Sequence, residues 1–158
     1  MILTIFRSVF LILVTVLSSQ GIFYMLGNAT ALQQVNTATF AEQRNLLDGV
    51  IGSRLMSLYA MSLIFGIGSL VFMRARYKSF AFLATTIALI TIVVDLIIAV
   101  QINIPINTAF KNYPIGSNSW SSLQSEWINA IVLRGCFLSA GLFGLIISIF
   151  HSDKTYKQ

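Results

Sequence analysis

Asp95 and Arg134 each interrupt an apolar run long enough to cross a bilayer. An ionised side chain inside a span costs roughly 2.5–3.5 kcal/mol on insertion scales, so it faces a partner or a cavity. Further polar side chains crowd the same parts of the apolar segments: Gln20, Arg54, Gln101, Asn103, Asn107, Glu126 and Asn129. Glu126, Ala130 and Arg134 are spaced four apart and so share roughly one helical face. Chemistry built from this set has to work through carboxylates, amides and an arginine beside a hydrophobic cavity.

The residues that are missing narrow the chemistry further. The one histidine, His151, ends the last apolar block, which excludes bis-histidine haem and a histidine metal cluster. No Glu-x-x-His pair offers a di-iron site, and no Cys-x-x-Cys offers redox exchange or zinc. No glycine-rich phosphate loop and no serine-nucleophile elbow is present. No metal or cofactor is therefore expected. Cys136 stands alone in an apolar block and cannot form an internal disulfide.

The elements that must position these residues follow from composition. Of 158 residues, 56% are hydrophobic and only 9% charged, against about 25% charged in soluble domains. The apolar residues come in four blocks, predicting spans at about 3–26, 50–73, 80–102 and 127–150. The expected fold is an all-α membrane protein, an antiparallel bundle of four transmembrane helices forming a single domain over 1–158. The first block starts like a signal peptide, with Arg7 before an apolar run, but its length predicts a retained helix. Two polar stretches, 28–49 and 103–126, read as long loops, the first with a segment lying on the membrane surface. Pro105 reads as the terminator of the third span. The tail 151–158 is polar and expected to fray.

The charge of +5 is spread over segment ends rather than along a groove, so nucleic acid is not the expected partner. The turn carrying Arg74, Arg76 and Lys78 has no acid, whereas the two long polar stretches mix signs. The positive-inside rule then puts that turn and both termini, with Lys154 and Lys157, in the cytoplasm, and the long stretches outside. A plasma or inner membrane is the expected location. In this orientation Asp95 and Arg134 both lie roughly 7 Å to the outer side of their span midpoints, on consecutive antiparallel helices, so an ion pair is feasible.

Two readings of that pair stand side by side. In one it only clamps the third span to the fourth; in the other it lines a polar pocket on the outer side, roofed by the long loops. Trp120, Trp127 and Tyr113 divide similarly, between interfacial belt residues and a stacking surface for a flat ligand.

The run Asn103-Ile104-Pro105-Ile106-Asn107, followed by Trp120 and then Trp127, Asn129 and Arg134, resembles the signature of anthrone oxygenase-like four-span membrane proteins. Members of that family usually carry an arginine shortly before the second tryptophan; here Gln124 and Glu126 occupy the neighbourhood. The resemblance implies oxidation of a flat hydrophobic substrate with molecular oxygen and no evident metal. It implies that Asn103, Asn107 and Asn129 hold the substrate oxygens, with Trp120 and Trp127 beside it. Arg134 would stabilise an enolate, and Asp95 or Glu126 would be the base.

The competing expectation is a non-enzymatic bundle that binds a lipid or quinone, or assists a partner membrane protein or a second copy of itself. Small residues at Ser62 and Gly66, and at Ala140, Gly144 and Ser148, give faces on which helices approach closely. A transporter is less well matched, because no inverted repeat is visible.

Overall fold

A computed structural model describes residues 1–112 and 120–152; Tyr113, Pro114, Gly116, Lys154 and Lys157 lie outside the described residues. The described residues form helices joined by short turns, with no strand among them. The helices are α1 (Ile2–Phe23), α2 (Ala29–Gln33), α3 (Thr37–Phe72), α4 (Phe80–Ile98), α5 (Ile104–Asn112) and α6 (Trp120–Ser152). Together they make four long apolar rods, Ile2–Gln33, Thr37–Phe72, Phe80–Asn112 and Trp120–His151. The protein is a multi-pass membrane protein built as a four-helix bundle.

These rods extend well beyond the expected spans. They contain 32, 36, 33 and 32 residues, or about 48–54 Å at 1.5 Å per residue, against about 30 Å of hydrocarbon. The polar stretches are therefore largely helix rather than loops. Residues 37–49 begin α3 without a break, because Asn36 caps it, its Oδ1 accepting from Ala38 N–H at 2.8 Å. No proline or glycine interrupts that run before Gly49. Pro105 likewise does not end the third rod. A π-turn at Ala99–Asn103 widens the helix just ahead of it, and α5 continues beyond. The wider turn accommodates a residue that has no N–H to donate.

At the end of α1 the chain bends through a π-turn, Tyr24–Asn28, in which Gly27 has φ +138°. A side chain resists that conformation, at about 1–3 kcal/mol. Gly27→Ala is expected to lose that much stability through the backbone alone, since an added Cβ meets nothing within 4 Å. Thermal unfolding beside Gly49→Ala, where the space is equally open, isolates the backbone term; equal melting points for the two would refute it. The bend lets α2 lie over the bundle. There the buried amide of Gln124 donates to the Leu32 and Val35 carbonyls, at 2.7 and 3.1 Å. Gln124, noted in the sequence only for replacing an arginine, holds this turn down.

Two apolar layers fill the interior. One contains Phe10, Val14, Leu17, Tyr59, Ala88, Ile92, Leu138 and Leu142. The other, toward the long polar stretches, contains Tyr24, Phe40, Phe110, Trp120, Trp127 and Ile131. α6 is the innermost rod: half of its apolar window is buried, against a third or less in the other three. Large side chains such as Ile64, Ile67, Phe143 and Phe150 remain exposed around the bundle, as expected where lipid is the solvent. Ser62 and Gly66 face inward; Gly66 packs against Phe10 and Leu89. Ala140 is exposed and Gly144 half-buried with open space beside it, while Ser148 is buried.

Candidate functional site

Asp95 sits one turn beyond Ile92 on α4, and Arg134 lies between Ile131 and Leu138 on α6. Their side chains meet between the two apolar layers. Arg134 Nε donates to Asp95 Oδ1 at 2.8 Å, and its Nη2 lies 3.4 Å from Oδ2. The carboxylate is fully buried and the arginine 6% exposed. The ion pair expected from matched depth is present.

The pair is part of a larger network. Tyr59, on α3, donates its hydroxyl to Asp95 Oδ2 and accepts from Arg134 Nη2 at 3.1 Å. Arg134 Nη1 donates to Asn103 Oδ1 at 3.0 Å, and Asn103 Nδ2 donates to the Trp127 carbonyl at 3.3 Å. Asn103 ends the π-turn, so the widened turn that admits Pro105 also delivers the amide to the guanidinium. Both carboxylate oxygens are thereby engaged, and each guanidinium nitrogen has an acceptor. Tyr59 is the member that sequence reasoning missed. It looked like one more aromatic in an apolar run, and only its position about six turns along a helix packed beside α4 gives it a partner.

A cavity of about 250 Å³ opens beside this network, between all four rods. Tyr59, Asn103, Asn107, Trp127 and Arg134 line it, together with Gln20, Arg44, Asp48 and Lys111. Arg44 pairs with Asp48 at 3.0 Å and lies 4.3 Å over the Trp127 ring, within cation–π range. With Arg44, Lys111 and Arg134 against Asp48 and Asp95, cations outnumber anions around the cavity. Asn107 Oδ1, Trp127 Nε1 and Arg44 Nε are buried and make no hydrogen bond. A buried polar atom left unpaired costs about 1–3 kcal/mol, so water or a ligand in the cavity has three partners to satisfy.

The other sequence candidates fall elsewhere. Glu126 and Asn129 are exposed and share an open depression with Ile102, Ser122 and Ser125, away from the cavity. The face shared by Glu126, Ala130 and Arg134 does not hold together. Two steps of four residues rotate a helix by about 80°, enough to carry Glu126 outside while Arg134 points in. Arg54 and Gln101 are also exposed and do not line the cavity. Trp120 and Trp127 are each 2% exposed, which matches neither a belt nor an open stacking face. Trp127 meets Tyr24 and Phe40 edge to face, and Trp120 meets Phe110, with centroids 5.6–5.8 Å apart. Trp127 alone of the two reaches the cavity; Trp120 is core.

Among the described residues no group of histidine, cysteine or acidic side chains could hold a metal ion. No protein-family model, no curated protein and no solved structure matches the chain.

Proposed function

We propose that the protein is a membrane-embedded receptor or enzyme for a small oxygen-bearing ring compound, such as a phenol or quinone headgroup, held in the cavity beside Arg134. The observation that carries this is the set of three unsatisfied buried atoms on the residues of its wall, Asn107 Oδ1, Trp127 Nε1 and Arg44 Nε. Asn107 Oδ1 calls for a donor, such as a ligand hydroxyl, and Trp127 Nε1 calls for an acceptor, such as a carbonyl. The surplus of cationic groups favours a ligand carrying electron-rich oxygen. At about 250 Å³ the cavity lies just under the usual range of roughly 300–1,000 Å³, which suits a compact ring system rather than a folded lipid. By the positive-inside expectation this end of the bundle faces outward.

Binding is expected to quench tryptophan fluorescence saturably when naphthols, benzoquinones and anthrone are titrated into the protein in nanodiscs, and Trp120→Phe should keep the signal. Asn107→Leu is expected to weaken binding by roughly tenfold, the cost of one hydrogen bond to a buried group. Its melting temperature, measured alongside, shows that the fold survives. No saturable binding across the panel, or binding indifferent to Asn107, would reject the proposal.

One observation favours an enzymatic form, in line with the anthrone oxygenase resemblance. Tyr59 stands between the cavity and Asp95 with its proton already directed at the carboxylate. A carbon acid in the cavity would lose its proton to the tyrosine oxygen as the tyrosine proton passes to Asp95. Arg134 would stay beside the resulting enolate. Dioxygen would add to the enolate carbon, gaining two electrons as the C–O bond forms and a proton from Asp95 to give a hydroperoxide. Loss of the remaining proton on that carbon as the O–O bond breaks would pass two more electrons to oxygen, so that anthrone and one O₂ leave as anthraquinone and one water. Glu126 lies outside the cavity, which moves the base role to the Asp95–Tyr59 couple. Oxygen uptake with anthrone, abolished by Tyr59→Phe while naphthol binding persists, is the expected result; uptake unchanged in that variant refutes the relay.

A further inference from the structure

The cavity beside Arg134 is open on one side, between α3 and the third rod. From α3 it is lined by Arg44, Asp48, Gly52, Met56 and Tyr59, whose three-to-four spacing makes them one helix face. The third rod answers with Leu96, Val100, Asn103, Asn107 and Lys111 at the same spacing. Residues 44–59 and 96–111 each cover about 22 Å of helix at 1.5 Å per residue. The two faces do not close on each other. Gly52 lines the cavity, and an added Cβ there would meet nothing within 4 Å. Met56, Val100 and Ile104 line it too, yet are 61%, 52% and 49% exposed. A side chain that touches both the cavity and the outside stands at its mouth. The mouth is therefore a lateral slot with apolar lips.

The level of the slot decides what it faces. Met56 and Val100 fall inside the apolar blocks 50–73 and 80–102, so the lips stand at hydrocarbon depth. Arg44, Asp48 and Lys111 lie beyond those blocks, at the end that meets water. At that end Arg44 covers the Trp127 ring, whereas Gly52 has no side chain to cover the slot. A molecule in the cavity thus meets the unpaired Asn107 Oδ1, Trp127 Nε1 and Arg44 Nε inside, and lipid through the slot.

We propose that the ligand is an amphiphile dissolved in the membrane, an oxygen-bearing ring with a long aliphatic tail. The ring enters the cavity sideways, and the tail stays out through the slot over Gly52, Met56, Val100 and Ile104. This rests on the ring-binding reading above and adds the tail and the route. The volume imposes the division: about 250 Å³ takes a compact ring system but not a long chain as well. Lipid chains are as apolar as leucine, so the tail contributes little affinity of its own. Its role is to hold the ring at the depth of the slot.

The test compares a naphthol with the same naphthol carrying a decyl chain, titrated into the full chain in nanodiscs and read by tryptophan quenching. Each is dosed as a mole fraction of the bilayer, which removes the difference in partitioning. The two are expected to bind within roughly threefold of each other, since the tail passes out into lipid. Gly52→Phe, which fills the slot, should weaken the tailed compound roughly tenfold more than the bare one, as overpacking a narrow gap implies. Gly49→Phe, exposed one turn away and not on the cavity wall, should leave that ratio unchanged. A diazirine in the tail should label peptides 52–56 and 100–104 on illumination. Exclusion of the tailed compound from the unaltered protein, while the bare naphthol binds, would mean that a lipid or a second copy fills the slot. That result overturns the proposal and leaves the ring-binding reading standing. So does a ratio indifferent to Gly52→Phe, or label confined to α1 and α6. Failure of both compounds to bind overturns the ring-binding reading and this proposal with it.

Discussion

Replacing Asp95 by asparagine is expected to destabilise the bundle by about 3–5 kcal/mol, the cost of removing one partner from a buried ion pair. The loss should exceed that of Arg134→Gln, because the two remnants differ. Asparagine leaves a guanidinium 6% exposed with Tyr59 and Asn103 as acceptors but no counter-charge, and it cannot deprotonate. Glutamine leaves a carboxylate that keeps the Tyr59 donor and can neutralise itself by taking up a proton. Its cost should fall in the range of about 1–3 kcal/mol for an incompletely satisfied buried group. The double variant is expected to lose clearly less than the sum of the two, since neither charge is then stranded. Unfolding in mixed micelles with increasing denaturing detergent measures all three. If the single losses simply add, or if Arg134→Gln proves the more damaging, the clasp described here is wrong.

A comparable loss is expected where α1 crosses α6. Gly21 and Gly135 meet backbone to backbone: a Cβ on Gly135 would lie 2.8 Å from Gly21 Cα and 3.0 Å from its carbonyl oxygen. Neither neighbour is a side-chain end that can rotate away, so Gly135→Ala must push the helices apart. Overpacking of this kind costs typically 1–3 kcal/mol, and Gly135→Leu should cost more. Separation would also stretch the bond from the buried Ser18 hydroxyl to the Leu138 carbonyl, 3.0 Å long at the same crossing, and would displace the adjacent Arg134. The matched control is Gly144→Ala, where a Cβ meets nothing within 4 Å; it should be neutral or gain up to about 1 kcal/mol of helix propensity. Equal tolerance of alanine at Gly135 and Gly144 would show that the close crossing does not hold in the membrane.

Much of the fold was legible because apolar blocks of about 20 residues admit few structures in lipid. Backbone groups without water must be satisfied within the segment, which forces helices. The Asp95–Arg134 pair was legible for a related reason: two opposite charges at one depth on antiparallel neighbours have nowhere cheaper to go. The helical continuation of residues 37–49 and 104–112 was not. Polar composition identifies contact with water, but says nothing about whether the helix stops there. Spacing alone also misled at Glu126, since a helix turns 100° per residue and a repeat of four drifts by 40° at each step.

The sequence by itself determined the bundle of four apolar helices and the matched level of Asp95 and Arg134, because hydropathy and length act segment by segment. Which of the polar residues share a cavity was decided only by the tertiary structure. Tyr59 joined the ion pair, Asn103 reached it through a π-turn, and Glu126, Asn129 and Trp120 fell outside. Those outcomes depend on the rotation of each helix about its axis and on how closely neighbours approach. Both are set by packing between segments far apart in the chain, such as Gly21 against Gly135.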